Sequence, residues 1–209
     1  KRKVRTKAMS KIKAVTVHGG HNPAGKIACG ASDYIDESRE DRIITKKVIR
    51  LLKKNGIKAY DCTVNNGTSQ TDVLRKICAK CNSKTRDIDI SIHFNSAAHQ
   101  KISDGKTTGI EVWVRDTFDV KGDLAKRMCN QLSKIGFKNR GVKTTSGLWV
   151  LNKTSKPALP HQAGTRRKGG LAWARKHQRT PMSRCIRTSC ARISNTPTGR
   201  AARLRPSIP

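Results

Sequence analysis

Short β-rich runs alternate with stretches of helical periodicity from Ala14 to Leu151, and this alternation restricts the fold more than any other feature of the chain. Ala14-Val15-Thr16-Val17 is rich in β-branched residues and ends at His18-Gly19-Gly20-His21. A Gly-rich polar loop follows, to Asp36. From Arg42 to Asn55 the apolar residues fall at 43, 44, 48, 51 and 52, the spacing of one helix face. Asn55-Gly56 is a helix stop. Ile57 to Val64 reads as a strand and Asn65-Asn66-Gly67 as a turn, after which Ser69 or Thr71 can cap a helix running to Asn82. Ile88 to Phe94 alternates as a strand, Gly109 to Val114 is another, Val120 to Ile135 is a helix closed by Gly136, and Gly147 to Leu151 is a short strand. The expected class is α/β, a single domain with a mixed, mostly parallel sheet flanked by helices. Sites in such open sheets form at the carboxyl ends of strands. His18 and His21 follow the first strand and His93 closes the third, so they are expected at one sheet edge.

The chain changes character at Leu159. Residues 160–209 hold twelve Lys or Arg and no acid, while residues 1–159 hold thirty-three basic residues against all fourteen acids. Beyond Pro160 no periodicity stands out. The expected division is a basic extension over 1–11, a domain over 12–159 and an Arg-rich tail over 160–209, the tail being disordered, an unrelated arm or translated out of frame. Met9-Ser10-Lys11-Ile12-Lys13 reads as a natural start, which makes Lys1 to Ala8 an appendage. Neither a signal peptide nor a run long enough to span a bilayer is visible. The net charge of +31 favours polyanions, either nucleic acid or anionic wall polymers, and does not choose between them. Aromatic residues at 4% argue against a stacking platform for single strands, and no spacing for a specific nucleic-acid motif is present.

The seven cysteines, an odd count without a regular framework, read as reduced thiols. Cys78 and Cys81 form a C-x-x-C whose simpler reading is two small residues on a helix face, since no second pair lies at zinc-ribbon spacing. Zinc hydrolases use three protein ligands and leave a fourth position for water. His21, Glu37 and His93 supply such a set. Spacing alone makes that a weak signal, and ordinary polar residues at loop mouths would look the same.

Local context adds to it. Val15-Thr16-Val17-His18-Gly19-Gly20-His21-Asn22-Pro23-Ala24-Gly25 resembles the opening strand and metal-binding loop of the zinc-dependent N-acetylmuramoyl-L-alanine amidases. Tyr34-Ile35-Asp36-Glu37-Ser38-Arg39-Glu40-Asp41-Arg42 is similar to their second segment, and Ser91-Ile92-His93-Phe94-Asn95-Ser96 to their third. Gly109-Ile110-Glu111-Val112-Trp113, Phe137 to Lys143 and Leu148-Trp149-Val150-Leu151 follow in the same order, so the resemblance covers about 12–159. It implies Zn2+ as cofactor, with His21, Glu37 and His93 as ligands. It implies peptidoglycan as substrate, cleaved at the amide between N-acetylmuramic acid and L-alanine. Glu37 is favoured over Glu40, which is expected as a solvated acid in the first helical turn. His18 and Asn95 are expected to support the ligands rather than bind the ion. Glu111 is expected as a cross-strand partner, and His99, His161 and His177 as exposed.

The family carries a catalytic Glu on the strand that follows the segment matching Ser155 to Leu159. Here the chain continues Pro160-His161-Gln162-Ala163-Gly164, where Leu-Ile-Glu would restore the pattern at 160–162, and no acid occurs after Asp123. No catalytic residue is therefore assigned. The closing strand and helix are expected to be replaced by the unrelated tail, and hydrolysis to be impaired. The alternatives are a zinc-containing module that holds the wall without cutting it, and a polyanion binder acting through the basic tail. The resemblance fits an endolysin or an autolysin, made in the cytoplasm and acting on the cell wall, after lysis or holin-type release in the first case.

Overall fold

The computed structural model describes residues 12–32, 36–95, 109–117, 119–135, 137–164, 183–186 and 189–190. The elements run β1 (Ala14–Gly19), α1 (Glu37–Lys54), β2 (Lys58–Asp61), α2 (Gln70–Asn82), β3 (Ile88–Asn95), β4 (Gly109–Val114), α3 (Asp119–Ser133), β5 (Asn139–Thr144), α4 (Trp149–Lys153) and β6 (Ala158–Gly164). The six strands form one sheet in the order β2-β1-β3-β6-β4-β5. All neighbours are parallel except β4 and β6, which are antiparallel. The expected mixed, mostly parallel sheet flanked by helices is what the chain forms.

Helix periodicity decides which helix face is buried. In α1, Ile44, Val48 and Leu52 recur every fourth residue and are fully buried against Val15, Val17, Ile90 and Ile92. Burial of such side chains stabilises by roughly 1.5–3 kcal/mol each. The opposite sheet face is covered by α2, whose Val73, Ile77 and Cys81 pack with Cys62, Val64 and Val150 of α4. Cys78 and Cys81 are thus core residues of a helix face, and all seven cysteines are free thiols. Between β1 and β3 a buried polar node replaces apolar packing. Arg86 donates to both carboxylate oxygens of Asp89 at 2.8 Å, and Thr16 also donates to Asp89. With both partners satisfied, the charge is tolerated inside.

Helix α1 begins at Glu37, which puts Glu40 in the first turn as expected, and Asp36 caps it by accepting from Arg39 N at 3.1 Å. Other elements differ from the sequence reading. Gly147 to Leu151 is not a strand: Trp149–Lys153 is a short helix, and the strand of this region is β5, whose residues NRGVKT carry little apolar signal. The chain also does not lose its last strand at Leu159. Residues 158–164 form β6, paired with β3 on one side and β4 on the other. Pro160 is accommodated because the β4 ladder stops at His161, one residue short of it.

The tail also contributes to the core. Residues 183–186 and 189–190 are helical. Ile186 and Cys190, one turn apart, are fully buried in the main core cluster, and Cys185 donates to Gln131 O of α3 at 3.2 Å. The sequence signal for this was two small cysteines and one isoleucine among arginines, too weak a stripe to read as a helix face. The extension over 1–11 and the rest of the tail lie outside the described residues.

Candidate metal centre

Three elements deliver three side chains to the carboxyl edge of the sheet. His21 lies just past the end of β1, His93 near the end of β3, and Glu37 is the first residue of α1. His21 Nε2 and His93 Nδ1 are 3.1 Å apart, and Glu37 Oε1 is 3.2 Å from each. Donor atoms bonded to one tetrahedral zinc at ~2.0–2.1 Å stand ~3.3 Å from one another. The triangle therefore has the size and the hard and borderline donors that such an ion takes. Among the described residues, no other group of His, Cys, Asp or Glu converges in this way.

The surroundings hold this triangle. Glu37 accepts from Phe94 N at 3.1 Å through Oε1 and from Ala31 N at 3.0 Å through Oε2, so its carboxylate is aimed by two backbone amides. Burial pushes the Glu37 carboxyl up, but hydrogen bonds from the two imidazoles outweigh it and hold the group well below the usual carboxylate range. Two glycines make the close packing feasible. A Cβ on Gly20 would lie 1.8 Å from His93 Cε1, and one on Gly30 would lie 2.7 Å from Glu37 Oε2. Gly30 also has a φ of +79°, which side chains rarely adopt.

Two residues that sequence reasoning missed clamp the His21 loop. Arg42 donates to His21 O at 2.6 Å, Val64 O at 2.9 Å and Ser38 O at 2.9 Å. Asn22 donates to Ile27 O and Gly67 O and accepts from Gly67 N. Nothing in the sequence singles out Arg42, and only its backbone partners reveal its part. Asp41 is buried beside Gly19, and burial pushes its carboxyl up to about 8.

The other expectations divide. His18 is not in the triangle; it is buried on the sheet face below it, 3.5 Å from Ser91 Oγ, and burial pushes its imidazole down to about 4, with His93 adding to the effect. Asn95 closes β3, and its side chain lies outside the described residues. Glu40 is buried rather than solvated. Glu111 is a cross-strand partner, taking Trp113 Nε1 at 3.2 Å and Arg140 Nε of β5 at 3.2 Å. His161 is not exposed: it is fully buried, in register with Ile92 and Val112, and neither ring nitrogen has a partner among the described residues. It lies at the register position of Ile92, one residue before His93, and is not one of the three groups of the triangle. His99 and His177 lie outside the described residues. Gln162 is the register partner of His93 on one side and of Glu111 on the other.

Comparison with known proteins bears on this geometry. The profile of a family described as N-acetylmuramoyl-L-alanine amidase matches residues 15–165. An uncharacterized 38.4 kDa protein of Clostridium perfringens is 36% identical over 146 residues, 69% of this chain. The chain spans 41% of that relative's length. Among solved structures, the catalytic domain of the CD27L endolysin targeting Clostridia difficile is similar with a TM-score of 0.71 at 20% identity, over 85% of this chain and 96% of that one. The N-acetylmuramoyl-L-alanine amidase AmiC2 of Nostoc punctiforme gives 0.66 at 22% identity, over 85% and 94%. At these identities the structural likenesses establish the fold.

Proposed function

Because the chain belongs to the N-acetylmuramoyl-L-alanine amidase family, we propose that it is a zinc-dependent peptidoglycan hydrolase directed at the amide between N-acetylmuramic acid and L-alanine, with a weakened catalytic step. The observation that carries the reading is the triangle of His21 Nε2, His93 Nδ1 and Glu37 Oε1, with sides of 3.1–3.2 Å.

His21, His93 and Glu37 are the residues that would hold the ion. Zinc bound there supplies a Lewis acid for the scissile carbonyl and lowers the pKa of water at the open position. Glu37 contributes a carboxylate held in place by its two backbone donors, Phe94 N and Ala31 N. Gly20 leaves the His93 ring its position. Hydrolysis joins the water oxygen to the carbonyl carbon, breaks the C–N bond and needs a group that takes the water's proton and returns it to the leaving amine. The register position beside His93 holds Gln162, whose carboxamide does not do this at neutral pH. Glu111, the nearest carboxylate by register, is engaged by Trp113 and Arg140.

The absence of any acid after Asp123 favours a second reading, a metal-loaded module that holds the wall without cutting it. In either reading the net charge of +31 would draw the chain to anionic wall polymers. Its site of action would be the wall, reached after lysis or by another route of release. Purified peptidoglycan incubated with the zinc-loaded chain separates the two. New amino termini on L-alanine, appearing slowly, support the hydrolase. Sedimentation with the wall and no new amine supports the binding module.

A further inference from the structure

The outward face of α1 carries a row of cations. Arg39, Lys46, Arg50 and Lys53 are exposed. At 3.6 residues per turn they fall within an arc of ~60° and run ~21 Å along the helix. Lys54 is exposed at the border of the same row. The row lies opposite Ile44, Val48 and Leu52, which face the sheet. The acids of α1, Glu37, Glu40 and Asp41, are buried and stand off this face. Among the described residues no acid pairs with the side chains of the row. The helices α2 and α3 differ. Asp72 of α2 takes Arg75 at 2.6 Å and Lys76 at 2.8 Å, and α3 exposes Asp123 beside its lysines.

Helix stability does not account for the row. Lys46 and Arg50 are like charges at i, i+4, and Arg50 and Lys53 at i, i+3, spacings at which repulsion destabilises a helix. Arg39 stands in the first turn, where the helix dipole disfavours a cation. Only Lys53 and Lys54, in the last turn, complement that dipole. A ligand bringing negative charge along the whole row would remove the repulsion. Shape narrows its chemistry. One convex row meets a single strand of charge and offers no concave bed for a duplex. Helix α1 packs its apolar face on the sheet, so that face is not free to insert into a lipid surface. The row begins two residues from Glu37, at the candidate metal centre. A strand lying on it would therefore pass beside the bond to be cut. Bacterial walls hold such strands as phosphodiester-linked polymers, and the guanidinium forks of Arg39 and Arg50 match phosphate.

We propose that the outward face of α1 docks a linear phosphodiester polymer of the wall and so holds the metal centre against the peptidoglycan that carries the polymer. The inference rests on the wall as the place of action and needs no turnover. Zinc-loaded full chain is sedimented at about 0.1 M salt, where exposed charges still act over ~10 Å, with walls rich in phosphodiester polymer and with the same walls freed of it by hydrofluoric acid. One variant combines Lys46→Gln, Arg50→Gln and Lys53→Gln, which keep good helix formers at exposed positions. A second removes the same charge from exposed positions in and after α3, with Lys126→Gln, Lys134→Gln and Lys138→Gln. Helix α3 packs on β4 and β5, at the other end of the sheet from β2 and β1 under α1. The unaltered chain is expected to bind native walls about 10²-fold more tightly than stripped ones. The α1 variant should lose about that factor on native walls and little on stripped ones, and the α3 variant only a few-fold. Equal affinity for native and stripped walls, or equal losses by the two variants, overturns the docking face and leaves the wall as the place of action. A loss by the α1 variant on duplex DNA with none on native walls also overturns it, and makes the row a nucleic-acid surface. Retention on neither wall fails the wall reading itself and takes the docking face with it.

Discussion

Gln162 of β6 stands beside His93 of β3 in parallel register, with Glu111 of β4 as its antiparallel partner on the other side. A candidate metal ligand on β3 and a glutamine, a residue type that cannot serve as a base, thus hold adjacent register positions, the glutamine being on the strand where the family resemblance calls for a carboxylate. Because β6 is paired on both sides despite its unusual sequence, the backbone that would carry such a carboxylate is already in place.

Gln162→Glu should therefore raise hydrolysis by about 10²-fold or more, the lower part of the range for a positioned acid/base. The check is the rate at which L-alanine amino termini appear from purified walls, with zinc content measured in parallel. A gain in rate at unchanged zinc content is expected. No gain would mean that the strand does not carry position 162 to the reacting bond.

His161 is an imidazole among isoleucines and valines with both nitrogens unpartnered among the described residues. His161→Leu should stabilise the fold by ~1–3 kcal/mol, the cost of an unsatisfied buried polar group, read as a rise in Tm or in the urea midpoint. The pH dependence follows from burial, which pushes His161 down to about 3 from an unfolded value of 6.5. Between those values the unfolded chain binds more protons than the folded one, so stability falls as pH drops from 6.5 towards 3. His18, pushed down to about 4, acts in the same direction. Asp41, pushed up to about 8, acts oppositely, weakening the fold as pH rises from 3.8 to 8. The His161→Leu variant should lose part of the acid limb and keep the alkaline one.

Arg42→Ala removes three backbone bonds, one of them to the carbonyl of His21 itself. Residues that orient a ligand typically contribute about 10–100-fold in metal affinity. Zinc competition with a chelator should show a loss of that order, with circular dichroism unchanged apart from a lower Tm. Arg42→Lys should not rescue it, because a point charge cannot reach three carbonyls as a planar fork does.

Gly20→Ala should be more damaging than its one added methyl suggests. The new Cβ would occupy the space of the His93 ring, 1.8 Å from Cε1. Metal binding should be lost with all three ligands still present, and ¹H–¹⁵N spectra of the imidazoles should report the displaced ring. Gly25→Ala, where a Cβ would meet nothing within 4 Å, serves as the comparison for a glycine of the same loop. Its φ of +78° predicts a small loss of stability and no loss of metal.

How much of this was legible depends on where each residue draws its signal. Strands β1 and β3 carry β-branched and apolar runs and end in histidines, so their sequences announce both the element and the site edge. Helix α1 was visible through its buried stripe and its start through the family resemblance, which put Glu40 in the first turn; the Asp36 side chain caps it there. β5 was missed because an edge strand of Asn, Arg, Gly, Val, Lys and Thr buries little. β6 was misjudged because Pro160 and His161 are poor strand residues. Its pairing is dictated by β3 and β4 on either side, information that is not local to the segment. Arg42 and Asn22 look like surface polar residues in a sequence, since each also binds carbonyls more than twenty positions away, those of His21, Val64 and Gly67.

The most direct test is the metal itself. Chain purified without chelator and equilibrated with zinc should carry one zinc per molecule by mass spectrometry of the metal. His93→Ala and Glu37→Gln should each abolish stoichiometric binding, while Glu40→Gln should leave it unchanged. A protein that takes up no zinc, or one whose zinc content does not respond to loss of His93 or Glu37, would contradict the account.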